Sequence, residues 1–352
     1  MFRSGGKDRT SIAPVQDIRT MEEFSAYVGL SRPTVSRFFQ DASSVRASTR
    51  ERIEVALAES GFRPNLFAVN LKRRRSNILG IIIPNSIDPF YMELIRSVER
   101  IALDAGFLAF VLSSNGSRDL ESAAIDRLTG LNVAGLIVVP TGVGPSNKKL
   151  EALEENVPLV YVDSPPPHDC TFVGTDNRQS MGLMVDYLCR SGEPPCYLGM
   201  PEVNQNAIDR REAYAAAMSA AAHEPVLLAI PQEMTWDFER FGYESATALI
   251  RSGLPTRTLL CANDRIALGA QLAAWEAGLK IGRVRGSDIR IAGHDDHPQA
   301  KYACPPLTTV AQSYGDIAQC AMAELLERID ADELRPPTKT LLRADLKLRA
   351  SA

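Results

Sequence analysis

The chain lacks the marks of several common protein classes. Its six cysteines, at 170, 189, 196, 261, 304 and 320, form no Cys-x-x-Cys pair, and none lies in the first 169 residues. That excludes a disulfide framework and a zinc module, and it fits apolar, buried thiols in a reducing cytoplasm. No run of 18 apolar residues occurs, so no membrane helix is expected. Residues 1–16 carry charges and Gly5-Gly6 but no apolar core, and read as a disordered tail rather than a secretory signal. A Gly-Lys-Ser/Thr phosphate loop and a Gly-x-Ser-x-Gly elbow are both absent. Gly142-Val143-Gly144 follows a strand pattern, but the dinucleotide fingerprint fails at Asn147.

The 352 residues carry 39 Lys+Arg and 43 Asp+Glu, a net charge of −4 that by itself points to no nucleic acid. The distribution is uneven. Residues 1–76 hold 14 cations against 8 anions, whereas 77–352 hold 25 against 35. A basic N-terminal piece on an acidic body directs attention to DNA at that end.

Thr20-Met21-Glu22-Glu23 reads as a capping box, Phe24, Tyr27 and Val28 as one apolar face, and Gly29 as the stop of a short helix. Ser31 caps a second helix with Pro33 in its first turn and Val35, Phe38 and Phe39 on its apolar side. Ser48-Thr49-Arg50-Glu51 reads as another capping box, opening a helix with Ile53, Val55, Ala56 and Leu57 inward and Gly61 as stop. Two short helices around a tight Gly turn with a third behind describe a helix-turn-helix domain, whose second helix presents Arg32, Thr34, Ser36 and Arg37 to the major groove. The segment Leu66-Phe67-Ala68-Val69-Asn70-Leu71 is too apolar for a solvated linker. Beside Lys72-Arg73-Arg74-Arg75 it fits a minor-groove wedge next to phosphate contacts.

From Asn77 onward, β-rich runs alternate with helical stretches. Strands are expected at 78–83, 107–112, 135–139, 158–162, 171–174, 196–200, 225–230, 258–261 and 289–292. Helices are expected near 90–105, 119–130, 147–155, 178–190, 208–222, 238–252, 265–277 and 315–329. Two βαβ series imply two α/β lobes with parallel sheets. His294-Asp295-Asp296-His297 invites a metal reading, but two His at i and i+3 after a strand read better as a polar loop with a capping Asp.

Gly29-Leu30-Ser31-Arg32-Pro33-Thr34-Val35-Ser36-Arg37, Thr49-Arg50-Glu51-Arg52-Ile53 and Gly61-Phe62-Arg63-Pro64-Asn65 together resemble the DNA-binding domain of the LacI/GalR family of bacterial regulators. The match runs without gaps from about Thr20 to Leu71. It departs at Glu23-Phe24-Ser25 for the usual Asp-Val-Ala and at Phe38-Phe39-Gln40 for Val-Leu-Asn, which bears on operator preference. Further on, Ile87-Asp88-Pro89-Phe90-Tyr91, Val173-Gly174-Thr175-Asp176-Asn177, Arg210-Arg211-Glu212-Ala213-Tyr214, Ala262-Asn263-Asp264 and Gly293-His294-Asp295-Asp296 resemble the family's periplasmic-binding-protein-like (type I) effector domain. In the last motif His294 stands for an aromatic residue, and in the Arg motif Ala213 stands for Gly.

The resemblance implies a disordered tail (1–16), a helix-turn-helix head (17–63), a hinge helix and linker (64–76) and an effector-binding, dimerising body (77–352). The body's N-lobe would take 77–174 and 308–334, and its C-lobe 175–307 and 335–352. DNA contacts are then expected from Thr20, Ser31, Arg32, Pro33, Thr34, Ser36 and Arg37, and from Asn65, Ala68, Leu71, Lys72 and Arg73, with Leu71 as the intercalating leucine. Effector contacts are expected from Asp88, Phe90, Tyr91, Asp163, Arg210, Trp236, Asp264 and Asp295. Carboxylates accept from sugar hydroxyls, Arg210 donates a planar fork, and Phe90 and Trp236 cover an apolar sugar face; Phe90 and Trp236 read equally as core aromatics, and Asp163 as a turn cap. The expectation is a cytoplasmic, dimeric, sugar-responsive repressor on a pseudo-palindromic operator, without metal, cofactor or catalytic residues. A solute-binding protein would need an export signal and no DNA reader, and a sugar-modifying enzyme would need a nucleophile or an acid/base pair that no motif supplies.

Overall fold

A computed structural model describes residues 18–64, 76–144, 147–230, 234–331, 333 and 335–352. The chain divides into two compact units, Met1–Ser76 and Asn77–Ala352.

In the first unit, α1 (Met21–Val28), α2 (Arg32–Gln40) and α3 (Ala47–Ser60) enclose a small aromatic core. Both halves of the Thr20/Glu23 capping box form, and Gly29 closes α1 at φ 68. A side chain there would be strained and would meet the Arg52 guanidinium at 2.8 Å. Ser31 accepts from the Thr34 amide to open α2. Phe24 stacks on Phe62 at 4.6 Å, with Val28, Val35, Ile53 and Ala56 buried around them. Three expectations fail. Tyr27, read into the apolar face of α1, is 44% exposed. α3 starts at Ala47 behind Arg46, which caps nothing, so Ser48 sits inside the helix and no box forms there. Val55 is 51% exposed, because it falls about 200° around the helix from buried Ile53.

The second unit opens with β1 (Ile78–Ile83), whose period-two pattern explains its two-sided burial. Leu79, Ile81 and Ile83 pack on α4 (Pro89–Asp104) and α11 (Tyr314–Asp330), while Ile78 and Ile82 pack on α5 (Arg118–Gly130). With β2 (Leu108–Ser113), β3 (Gly135–Val138), β4 (Leu159–Val162), β5 (Phe172–Thr175) and β11 (Lys339–Leu342), it forms a parallel sheet of order β11-β5-β4-β3-β1-β2. The short α6 (Lys148–Glu154) covers the same face as α5.

The C-lobe sheet is also parallel, in order β7-β6-β8-β9, from β6 (Cys196–Leu198), β7 (Val226–Leu227), β8 (Thr258–Cys261) and β9 (Arg290–Ala292). Helices α7 (Asn177–Ser191), α8 (Gln205–Ala220), α9 (Phe238–Ser252) and α10 (Asp264–Glu276) cover it. Helices α9 and α10 touch backbone to backbone: a Cβ on Gly242 would lie 2.2 Å from the Ile266 carbonyl oxygen, and one on Gly269 2.1 Å from that of Glu239.

The lobe boundaries differ from expectation at the crossovers. Residues 339–342, read as C-lobe, hydrogen-bond to β5 in the N-lobe sheet. Residues 309–311, read as N-lobe, form β10, which pairs antiparallel with β12 (Asp345–Lys347) and bridges through Ala311 to Asp295 of the C-lobe, just after Thr308 bridges to Ala292. The cysteines are all free, and Cys304 is exposed rather than buried. No described helix is long and apolar enough to cross a membrane.

Candidate functional site

In the head, the exposed edge of α2 carries Arg32, Pro33 and Arg37, with Thr34 and Ser36 half-buried beside them. The Arg32 Nε donates to Glu22 at 2.8 Å, so the cation is held at the surface by a carboxylate of α1. Ser31 and Thr34 share a 2.8 Å hydroxyl hydrogen bond, and the Thr20 hydroxyl is engaged in the α1 cap. Asn65, Ala68, Leu71, Lys72 and Arg73 lie outside the described residues.

In the body, the loops after the parallel strands of both lobes converge, as ligand sites of such sheets do. Asp88 follows β1, Asp163 follows β4, Asn204 and Asn206 follow β6, Asn263 follows β8, and Asp295 follows β9. They enclose a cavity of about 30 Å³ with Phe90, Tyr91, Trp236 and Phe238 as its aromatic walls and Arg210 and Gln312 in its lining. Asp88, Phe90, Tyr91, Asp163, Arg210, Trp236 and Asp295 thus come together as expected.

Asp264 does not reach this cavity. It is fully buried, accepting from the Thr309 hydroxyl at 2.6 Å and the His297 amide at 2.8 Å, and burial pushes its carboxyl up to about 7. Its neighbour Asn263 lines the cavity instead. The stretch His294–His297 is no surface loop: His294, Asp295 and His297 are buried, and Asp295 takes a left-handed φ of 115 that strains a non-glycine residue.

The centre of the site is a polar circuit on Asp295. Its Oδ1 accepts from Arg210 at 3.0 Å, from the Gln312 amide at 2.7 Å and from His294 Nδ1 at 2.9 Å. Burial opposes the charge, but Arg210 and His294 outweigh it and hold this carboxyl well below the usual range. A carboxylate only accepts, so His294 Nδ1 carries the proton and Nε2 takes the Ser180 hydroxyl hydrogen at 2.8 Å. Burial, reinforced by Arg210, depresses His294 to about 4, and the imidazole is neutral. Gln312 in turn accepts from the Thr175 hydroxyl at 2.5 Å, tying the circuit to the crossover after β5. No described residue hydrogen-bonds Asp295 Oδ2, and the buried Asn204 Oδ1 in the cavity wall has no partner among them either.

Asp163, at φ 67, accepts from the Tyr91 hydroxyl at 3.1 Å; burial pushes its carboxyl up to about 7 although Arg210 pulls the other way. The sequence reading missed Met200, Asn204, Asn206, Phe238, Asn263 and Gln312. Of these only Asn263 stood in a quoted motif; an isolated Gln such as Gln312 gives no signal before the fold brings it in.

Residues 20–65 match the family described as "Bacterial regulatory proteins, lacI family", and residues 195–352 match "Periplasmic binding protein-like domain". The ribose operon repressor of Escherichia coli (strain K12) is 28% identical over 322 residues, covering 90% of this chain and 94% of that protein. The HTH-type transcriptional repressor CytR of the same strain is 27% identical over 338 residues, covering 94% and 96%. The crystal structure of the lac repressor dimer bound to operator and the anti-inducer ONPF superposes with a TM-score of 0.80 at 24% identity, covering 94% of this chain and 98% of that one. A helix-turn-helix head followed by a two-lobed binding body defines a DNA-binding transcriptional regulator, and the homologues are repressors rather than enzymes. The chain thus carries a lacI-family DNA-binding domain at residues 20–65 and a periplasmic-binding-protein-like domain at residues 195–352.

Proposed function

We propose that this protein is a cytoplasmic repressor that binds a pseudo-palindromic operator as a dimer and is switched by a small, uncharged, polyhydroxylated effector between the two lobes of its body. The carrying observation is the pair of unused acceptors, Asp295 Oδ2 and Asn204 Oδ1, in a cleft walled by Phe90, Trp236 and Phe238. Acceptors without donors call for hydroxyls, and aromatic faces call for the apolar side of a sugar ring. Arg210 is already paired with Asp295 and Arg265 with Asp88, which leaves no free cation among the described residues of that lining for a phosphate. The name of the ribose repressor makes a pentose the first candidate. At about 30 Å³ the cavity is tight for a sugar ring.

DNA reading would rest on Arg32, Pro33 and Arg37 along the exposed edge of α2, with phosphate contacts from Thr20, Ser31, Thr34 and Ser36. The hinge residues Asn65, Ala68 and Leu71 would enter the minor groove and Lys72 and Arg73 neutralise phosphate. Dimerisation is supported by large apolar side chains left exposed on the C-lobe, Trp275 at 69% and Tyr302 at 79%.

The test is a thermal-shift screen of the full chain with D-ribose, other pentoses, hexoses, nucleosides and ribose 5-phosphate, followed by operator titration with each hit. A stabilising neutral sugar that also alters operator affinity supports the reading; stabilisation by the phosphate alone sinks the uncharged assignment. Leu71→Ala should weaken specific binding far more than non-specific binding, and equal losses would remove the wedge.

A further inference from the structure

Asp88 is expected to meet effector, yet both its oxygens are occupied. Oδ1 accepts from the Phe90 amide at 3.0 Å, capping α4, which fixes the carboxylate's direction. His297 Nε2 lies 3.4 Å from the same oxygen. Oδ2 accepts from Arg265 Nη1 at 3.0 Å. Asp88 belongs to the N-lobe and Arg265 to the C-lobe, so this ion pair spans the cleft.

Arg265 is held ready for that reach. Its side chain is 4% exposed, its Nε and Nη2 fork onto the Glu239 carboxylate at 2.8 and 2.6 Å, and its guanidinium lies 5.2 Å from the Phe238 ring centre. Glu239 stands on α9 and Arg265 on α10, the two helices locked at Gly242 and Gly269. Only Nη1 crosses, so closing the lobes freezes almost no further side-chain freedom. Opening orphans neither charge, because Arg265 keeps half-exposed Glu239 and Asp88 keeps the Phe90 amide. A pair with those two properties is reversible.

We propose that Arg265 is a built-in clasp: a cation of the chain's own that ties the C-lobe to Asp88 of the N-lobe and that effector must displace or open to enter, setting the threshold of the response. The inference rests on the effector-cleft reading, but its test needs no effector. Two backbone amides report closure, since Gly142 N–H donates to the Val203 carbonyl at 2.9 Å and Gln205 N–H to the Ser164 hydroxyl at 3.0 Å, both between lobes.

The experiment is residue-resolved hydrogen exchange on the ligand-free full chain, comparing wild type with Arg265→Gln, Arg265→Lys and Asp88→Asn. Asparagine still caps α4, so that variant removes the clasp's anion while keeping the helix start. Exchange at Gly142 and Gln205 should accelerate about tenfold or more in Arg265→Gln and Asp88→Asn and less in Arg265→Lys, with strand β1 protected as before. Unchanged exchange at Gly142 and Gln205 overturns the clasp. So does loss of protection throughout both sheets, which would make Arg265 a folding residue. If no sugar ever binds, the effector reading falls while these rates still decide the clasp.

Discussion

Arg210 and Asp295 face each other at 3.0 Å with side chains only 4% and 10% exposed, and each holds the other charged. Arg210 also donates to the Ala262 carbonyl at 2.8 Å and to the Asn177 side chain at 3.2 Å, so one guanidinium joins α8, the end of β8 and the start of α7 to the cleft carboxylate. Arg210→Ala leaves Asp295 as a buried, weakly compensated charge. We expect a loss of about 3–5 kcal/mol in chemical denaturation of the body. Asp295→Asn, which keeps the shape, should cost less stability yet abolish the effector response.

The pH dependence of stability should expose Asp163. Its folded carboxyl titrates near 7, against an ordinary 3.8, chiefly through burial. The folded chain therefore holds a proton that the unfolded chain has released across that interval, so this contribution to stability falls as pH rises and is fully lost above about 7. Asp163→Asn cannot titrate. Its stability relative to wild type should improve between pH 5 and pH 8 by on the order of 1–3 kcal/mol. His294, lowered to about 4, works in the opposite sense, losing its contribution as pH falls from 6.5. A flat difference between variant and wild type would show that Asp163 ionises normally.

In the head, Glu22 holds Arg32 in an ion pair and, on the proposed DNA reading, would compete with phosphate for it. The pair is exposed, so removing Glu22 should change folding stability by well under about 1 kcal/mol. Glu22→Ala should instead raise affinity for any duplex by roughly three- to tenfold at low salt, because a carboxylate leaves and a cation is freed for phosphate or base. Fluorescence anisotropy over a salt series reads both the gain and its steepness.

The α9/α10 crossing tolerates no side chain. A Cβ at Gly269 would stand 2.1 Å from one backbone oxygen and 2.6 Å from the Tyr243 nitrogen, and backbone cannot yield as a side chain does. Gly269→Ala and Gly242→Ala should each cost about 3 kcal/mol or more. Thermal unfolding followed by near-ultraviolet dichroism checks this, and a cost below that of an ordinary surface change would show that the helices slide apart freely.

Much of this architecture is legible in the residues. The unbroken Ile-Leu-Gly-Ile-Ile-Ile run of β1 announces a strand covered on both faces, and the strand-to-helix alternation places polar loops where the two sheets end. Local signals fail where two adjacent polar residues sit on one turn. At Asn263-Asp264 the chain passes from β8 into α10, and only packing decides that Asn263 faces the cavity while Asp264 turns in to Thr309 and His297. Ser48-Thr49-Arg50-Glu51 matches a cap by composition, but the helix begins two residues earlier, and nothing local forbids that. Strand β11 is hidden because its exposed Lys339 and Leu341 alternate with half-buried neighbours at a sheet edge, far in sequence from its partner β5. The Gly242–Gly269 contact is invisible until two helices are laid across each other.

Gln312 uses both ends of one amide, its oxygen on Thr175 and its nitrogen on Asp295. The amide cannot be turned over without losing both bonds at once. The residue that holds the Asp295 carboxylate therefore also ties down the crossover at the end of β5. Chemistry and mechanics share the same few atoms there. A change at Asp295 would disturb the crossover at Thr175 in the same step, whereas Trp236 and Phe238 stand outside this pair of bonds.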